Sequence, residues 1–412
     1  MTNGRTGSRL TLAAALAAAA ASPAFAEDEQ AAPKPAEQQP APKSAEKQPE
    51  LQIATTNTLF AGDFESNFYD KVQKAKEDVG LPVSVGAWHW WHKNRHSPHD
   101  WHYGTPNLGG TYFWYVTADP KIAIGDGSTE IGAHVEARFR DGDERFRPFF
   151  ESRAWLWEAY AWGKFGGGTT VKAGKIWRRF GLDWDGSWYG NVAYFDGWKL
   201  DPDWGASVEH SCRLMEGVVA PMFLQAFFAD DEVNGSISGA DPESDKRSKE
   251  GVTFVARAVP TIKLSEGSTL ALGLSGQVGE VENRDNDDKT STAGAVDLTW
   301  DCGPFKVFGE YLVAQGIRNP TNYVTGGPTS HARVGEVGAA YTWRFVTFRG
   351  SVSHGNYDDP GGEQVFYLGG VTVAITKNID FYVEYVRWDT KVLHGGRSVF
   401  EDGFNFVLNW RF

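Results

Sequence analysis

The sequence predicts an all-β fold, a transmembrane antiparallel β-barrel of about sixteen strands with short turns on one rim and long loops on the other. Three observations predict it. Apolar and polar residues alternate with period two through the C-terminal half, tight turns alternate with long polar connections, and the last strand, residues 404–412, is aromatic on one parity. Only 41% of the residues are hydrophobic, and no run reaches the apolar length that a helical bilayer span needs. A helical membrane protein is therefore excluded. The 57 aromatic residues (17 Trp, 14 Tyr, 26 Phe) and 47 Gly suit strands, turns and aromatic surfaces.

Residues 1–26 read as an export signal. Arg5 and Arg9 precede a short apolar core, and Ala24-Phe25-Ala26 offers a cleavage site before Glu27. No lipobox cysteine follows. Residues 27–55 are dominated by Ala, Pro, Glu, Gln and Lys, which cannot bury enough apolar surface to offset chain entropy, so a periplasmic linker is expected. Within 56–81, Phe68, Val72, Ala75 and Val79 recur at helical spacing, with Gly80 placed as a C-cap; a short amphipathic helix is expected. Residues 82–412 then form the barrel.

The strands are clearest from the C-terminus backwards. Phe404, Phe406, Leu408, Trp410 and Phe412 share one parity, against Asn405, Val407, Asn409 and Arg411. Phe381, Val383 and Tyr385 repeat the pattern against Tyr382, Glu384 and Val386, as do Val337, Ala339, Tyr341 and Trp343 against Glu336, Gly338 and Thr342. One face suits lipid and the other water. Tight turns at 301–304, 343–345 and 376–379 alternate with polar segments at 280–292, 314–332, 354–363 and 389–402. Upstream strands are Trp-rich, the parity of 153–162 reads either way, and fourteen or eighteen strands remain compatible with the pattern.

Trp157-Glu158-Ala159-Tyr160-Ala161-Trp162-Gly163-Lys164-Phe165-Gly166, followed by residues 169–175, resembles a stretch of bacterial general porins, and the aromatic terminal strand resembles theirs. The resemblance implies a Gram-negative outer-membrane barrel for passive diffusion of small hydrophilic solutes, an assembly machinery that reads Phe412, and a homotrimer. It puts Lys175 at the family's constriction arginine, provided the chain bends inward there, because straight-strand parity faces Lys175 to lipid. It also makes 177–203 the loop folded into the lumen. That segment carries Arg178, Arg179, Asp183, Asp185, Asp196, Lys199, Asp201 and Asp203. Opposed charges of this kind set selectivity, while Trp184, Trp188 and Tyr189 could stack on sugar faces.

Parity assigns further lumen residues: Arg138, Lys172, Arg257, Lys306 and Arg349 against Glu136, Asp297, Glu310, Glu336 and Glu384. The signs nearly match, so weak ion selectivity is expected. A net charge of −13 argues against nucleic acid as a partner. Nothing points to a cofactor, and Cys212 and Cys302 map to turns too far apart for a disulfide. His89, His92, His96, His99 and His102 form a His-rich stretch in the first expected external loop, a weak metal candidate on composition alone. Two rival classes remain. A barrel enzyme would need a Ser–His or Asp–His pair at a rim, where Ser353-His354 and His394 stand without a nucleophile motif. A structural or adhesive barrel would have a narrow or plugged lumen.

Overall fold

The computed structural model describes residues 83–96, 109–125, 127–142, 154–182, 202–229, 249–282, 289–316, 331–358, 362–392 and 398–411. The signal, the linker, the helix expected within 56–81 and Phe412 lie outside them. Among the described residues, eighteen strand segments make one antiparallel sheet. They are β1 (Val83–His96), β2 (Gly109–Ala118), β3 (Lys121–Ile124), β4 (Thr129–Gly142), β5 (Ala154–Phe165), β6 (Thr169–Ile176), β7 (Asp203–Met215), β8 (Val218–Ala229) and β9 (Lys249–Ala258). The second half comprises β10 (Thr261–Ser265), β11 (Ser268–Glu282), β12 (Lys289–Cys302), β13 (Phe305–Gln315), β14 (His331–Trp343), β15 (Val346–Asp358), β16 (Gly362–Thr376), β17 (Ile379–Val392) and β18 (Ser398–Arg411).

Two pairs of segments are single strands punctuated by proline. β2 and β3 keep one register against β4 across Pro120, and β9 and β10 keep theirs against β8 and β11 across Pro260. Proline has no N–H to give the ladder, but its carbonyl still accepts: Ala133 N–H bonds Pro120 O at 3.0 Å and Leu272 N–H bonds Pro260 O at 2.9 Å. The barrel therefore has sixteen strands, and β1 closes it by pairing with both β2 and β18.

Strand parity sorts the faces. On β13, Phe305, Tyr311 and Val313 are exposed outward, while Phe308, Glu310, Leu312 and Ala314 are buried inward. Burying the strand N–H and C=O groups in a closed ladder is what permits strands to cross lipid. The upstream ambiguity has a local cause. A β-bulge opposite Glu136 and Ala137 leaves Trp157 as the extra residue of β5, so Trp155, Trp157 and Glu158 cannot follow one alternation. Arg138 fills the space, its Cζ 3.7 Å from the Trp157 ring centroid.

Short turns at 125–128, 166–168, 216–217, 266–267, 303–304, 344–345 and 377–378 occupy one rim. At the opposite rim the strands outrun the expected loops. β15 and β16 leave only 359–361 between them, and β17 and β18 leave 393–397. Polar pairs such as His354–Glu363 and Lys391–Glu363 continue the ladder beyond the apolar belt, where alternation no longer marks a strand. The same extension corrects the His-rich stretch: His92 and His96 continue β1 beyond His89, paired with β18, and do not belong to a loop.

Candidate functional site

The connection from β6 to β7 begins inside the barrel. Gly174 has φ +137°, and a Cβ there would stand 2.2 Å from the Ala159 carbonyl oxygen, so only glycine fits. Val171 and Ala173 are exposed outward, yet Lys175 beyond Gly174 is buried and its Nζ donates to the Leu156 carbonyl at 2.8 Å. Ile176 and Phe180 join an inward apolar cluster that includes Phe227, Val255 and Leu312.

From there the backbone crosses the interior. Arg179 N–H donates to Gln225 Oε1 on β8 at 2.6 Å, Gly181 N–H to Ser275 Oγ on β11 at 3.0 Å, and Leu182 N–H to Glu310 Oε2 on β13 at 2.5 Å. Gln225 returns a bond from Nε2 to the Trp177 carbonyl at 2.9 Å. A backbone without strand neighbours needs side-chain partners when buried, and these three inward side chains supply them. Arg178 is paired at the base of the segment: its Nη2 donates to Asp203 Oδ2 at 2.7 Å, both side chains being shut off from solvent.

The remaining inward charges are largely paired along the wall. Arg257 forks onto Asp297 at 2.6 and 3.1 Å and also donates to Ser275 Oγ at 2.8 Å. Lys172 meets Glu209 at 2.7 Å, and Arg138 meets Glu136 at 2.5 Å. Asp297, Glu310 and Glu336 form a directly opposed acidic row across β12, β13 and β14. Lys306, Arg349 and Glu384 share the inward parity. Glu158, Tyr160, Lys172, Trp177, Arg179 and Glu209 line a cavity of about 260 Å³ next to the crossing segment.

Asp183, Trp184, Asp185, Trp188, Tyr189, Asp196, Lys199 and Asp201 lie outside the described residues, as do His99, His102, His394 and the side chains of His92 and His96. His89 lies against Trp91 with the rings tilted by 36° and their centroids 3.8 Å apart. Ser353 and His354 are successive on β15, so they point to opposite faces: Ser353 is buried inward, and exposed His354 pairs with Glu363 at 3.0 Å. They cannot act as a dyad. Both cysteines are free thiols. Gln225 and Ser275 escape a reading for charge, because their role exists only once the crossing backbone reaches them. Inward polar parity on β8 and β11 is the signal that could have found them.

A closed sixteen-strand barrel with apolar outward parity and a connection crossing its interior is a porin-type fold. Comparison with known proteins agrees at that level. OmpF of Salmonella typhi, solved in complex with daunomycin, superposes with a TM-score of 0.59 at 14% identity, over 81% of this chain and 97% of that one. The outer-membrane channel DcaP of Acinetobacter baumannii gives 0.55 at 14% identity, over 81% and 96%. No protein-family profile and no curated protein sequence matches the chain.

Proposed function

We propose that the chain is an outer-membrane diffusion channel passing small hydrophilic solutes without catalysis, and that 177–203 narrows its lumen. The crossing segment carries this reading, because a connection latched to β8, β11 and β13 stands in the path through the barrel. Arg179, Lys172, Glu158 and Glu209 around the adjoining cavity supply the opposed charges such a path uses to select solutes. Asp183, Asp185, Asp196 and Lys199 would extend that field, and Trp184, Trp188 and Tyr189 would stack on sugar faces. Export through the 1–26 signal, assembly through the strand ending at Phe412, and a homotrimer in outer-membrane lipid belong to the same proposal.

Planar-bilayer recording of the purified protein tests it: stable ohmic steps are expected, and folded protein giving no steps overturns it. A non-conducting barrel is the second reading, favoured by one observation. Leu312, Val386 and Val407 point inward yet expose no surface, where a wide water-filled lumen would wet them. The same recording separates the two.

A further inference from the structure

On the wall formed by β2 to β5, the sheet sets one imidazole beside two carboxylates. Glu136 and Glu158 are direct cross-strand partners at the β5 bulge, and His134 stands two residues along β4 on the same inward face. One nitrogen and two carboxylate oxygens from these residues lie within 4.8 Å of one another. Like charges set directly opposite repel unless a cation is shared between them. Arg138 serves one oxygen, its Nε donating to Glu136 Oε1 at 2.5 Å.

The imidazole is oriented as a metal ligand would be. Its Nδ1 lies 2.5 Å from Asp119 Oδ1. An ionised carboxylate can only accept, so in the neutral imidazole the ring proton sits on Nδ1 and the Nε2 lone pair is the one offered to a ligand. Nε2 is buried, has no hydrogen-bond partner among the described residues, and stands 3.8 Å from Glu158 Oε2. Tyr160 stacks on the ring at 5.1 Å and 25°, holding its plane. A carboxylate behind a histidine is the arrangement that fixes the tautomer and direction of a metal-binding imidazole.

We propose that His134, Glu136 and Glu158 bind one divalent cation of borderline hardness, such as Zn²⁺, Mn²⁺, Co²⁺ or Ni²⁺, with Asp119 as the positioning residue. One nitrogen and two oxygens suit these ions, whereas Ca²⁺ and Mg²⁺ favour oxygen alone. Ligand atoms around zinc stand about 3.3 Å apart, a closure that rotation of the two glutamates provides. Bound there, the ion neutralises the acidic pair beside Arg138.

Equilibrium dialysis of the purified full chain with Zn²⁺ tests the site without reference to conductance. Glu158→Gln and His134→Ala are each expected to lose one Zn²⁺ per chain, and Asp119→Asn to weaken binding by about tenfold. Glu158→Gln keeps the side-chain shape, so it reports even where His134→Ala fails to assemble. Unchanged stoichiometry and affinity in Glu158→Gln, or no Zn²⁺ bound by the parent at millimolar metal, overturns the proposal. A chain that binds Zn²⁺ and passes no current would sink the channel reading and leave this site standing.

Discussion

Arg178 and Asp203 tie the two ends of one long connection together, guanidinium nitrogen to carboxylate oxygen at 2.7 Å, with neither side chain reaching solvent. Arg178 ends the run out of β6, and Asp203 opens β7, so the pair fixes where the crossing segment leaves the wall. Removing one partner strands a buried charge, which costs about 3–5 kcal/mol, more than the pair itself contributes. Asp203→Asn and Arg178→Met should each lower the denaturant midpoint strongly, and the double variant should recover part of the loss. Additive losses in the double variant would contradict the assignment.

Gly174 decides the direction of that departure. Gly174→Ala puts a Cβ against the Ala159 carbonyl in a backbone conformation that L residues avoid, at a cost of about 1–3 kcal/mol. Gly166→Ala, in open space at the neighbouring turn, should be near neutral. Equal urea midpoints for the two variants would show that the bend does not depend on glycine.

Arg257 holds the acidic row in check. Arg257→Met leaves Asp297 beside Glu310 and Glu336 without its fork, so the reversal potential in a salt gradient should move toward cation selectivity. Arg257→Lys keeps the charge but loses the bidentate geometry, and an intermediate shift is expected. Identical potentials in all three proteins would place the row outside the ion path.

Glu310 latches the far end of the crossing segment through Leu182 N–H. Glu310→Ala leaves that N–H without its acceptor, which costs about 1–3 kcal/mol locally. Larger or noisier single-channel steps should follow. Glu310→Gln keeps an acceptor oxygen and should restore steady steps, while altering selectivity.

Arg179 gives the most direct reading of the field in the lumen. It lies beside the cavity next to the crossing segment and outside the buried stem pair, so Arg179→Ala should shift the reversal potential without the stability loss expected of Arg178. No shift would count against the narrowing of the lumen by 177–203.

The alternation on β13, β14, β17 and β18 was readable from sequence because each outward residue meets one environment and each inward residue another. That difference survives in single letters such as Phe305 against Lys306. The inward parity of charges such as Arg257, Asp297 and Glu310 followed from the same alternation. The bulge at Trp157 defeated it, since one extra residue flips every later side chain, and the sequence contains no mark of where two strands fall out of step. Strand ends beyond the apolar belt were equally silent, which is why His92 and His96 read as loop.

The sequence by itself determined an apolar-out, polar-in barrel and its approximate strand number, because burial in lipid acts on residues one at a time. Only the tertiary structure decided that Pro120 and Pro260 interrupt strands without ending them and that Arg178 is a stem residue. It alone showed that Gln225, Ser275 and Glu310 receive a crossing backbone. Those facts depend on register and on contacts between residues from 25 to 128 positions apart, which no local pattern encodes.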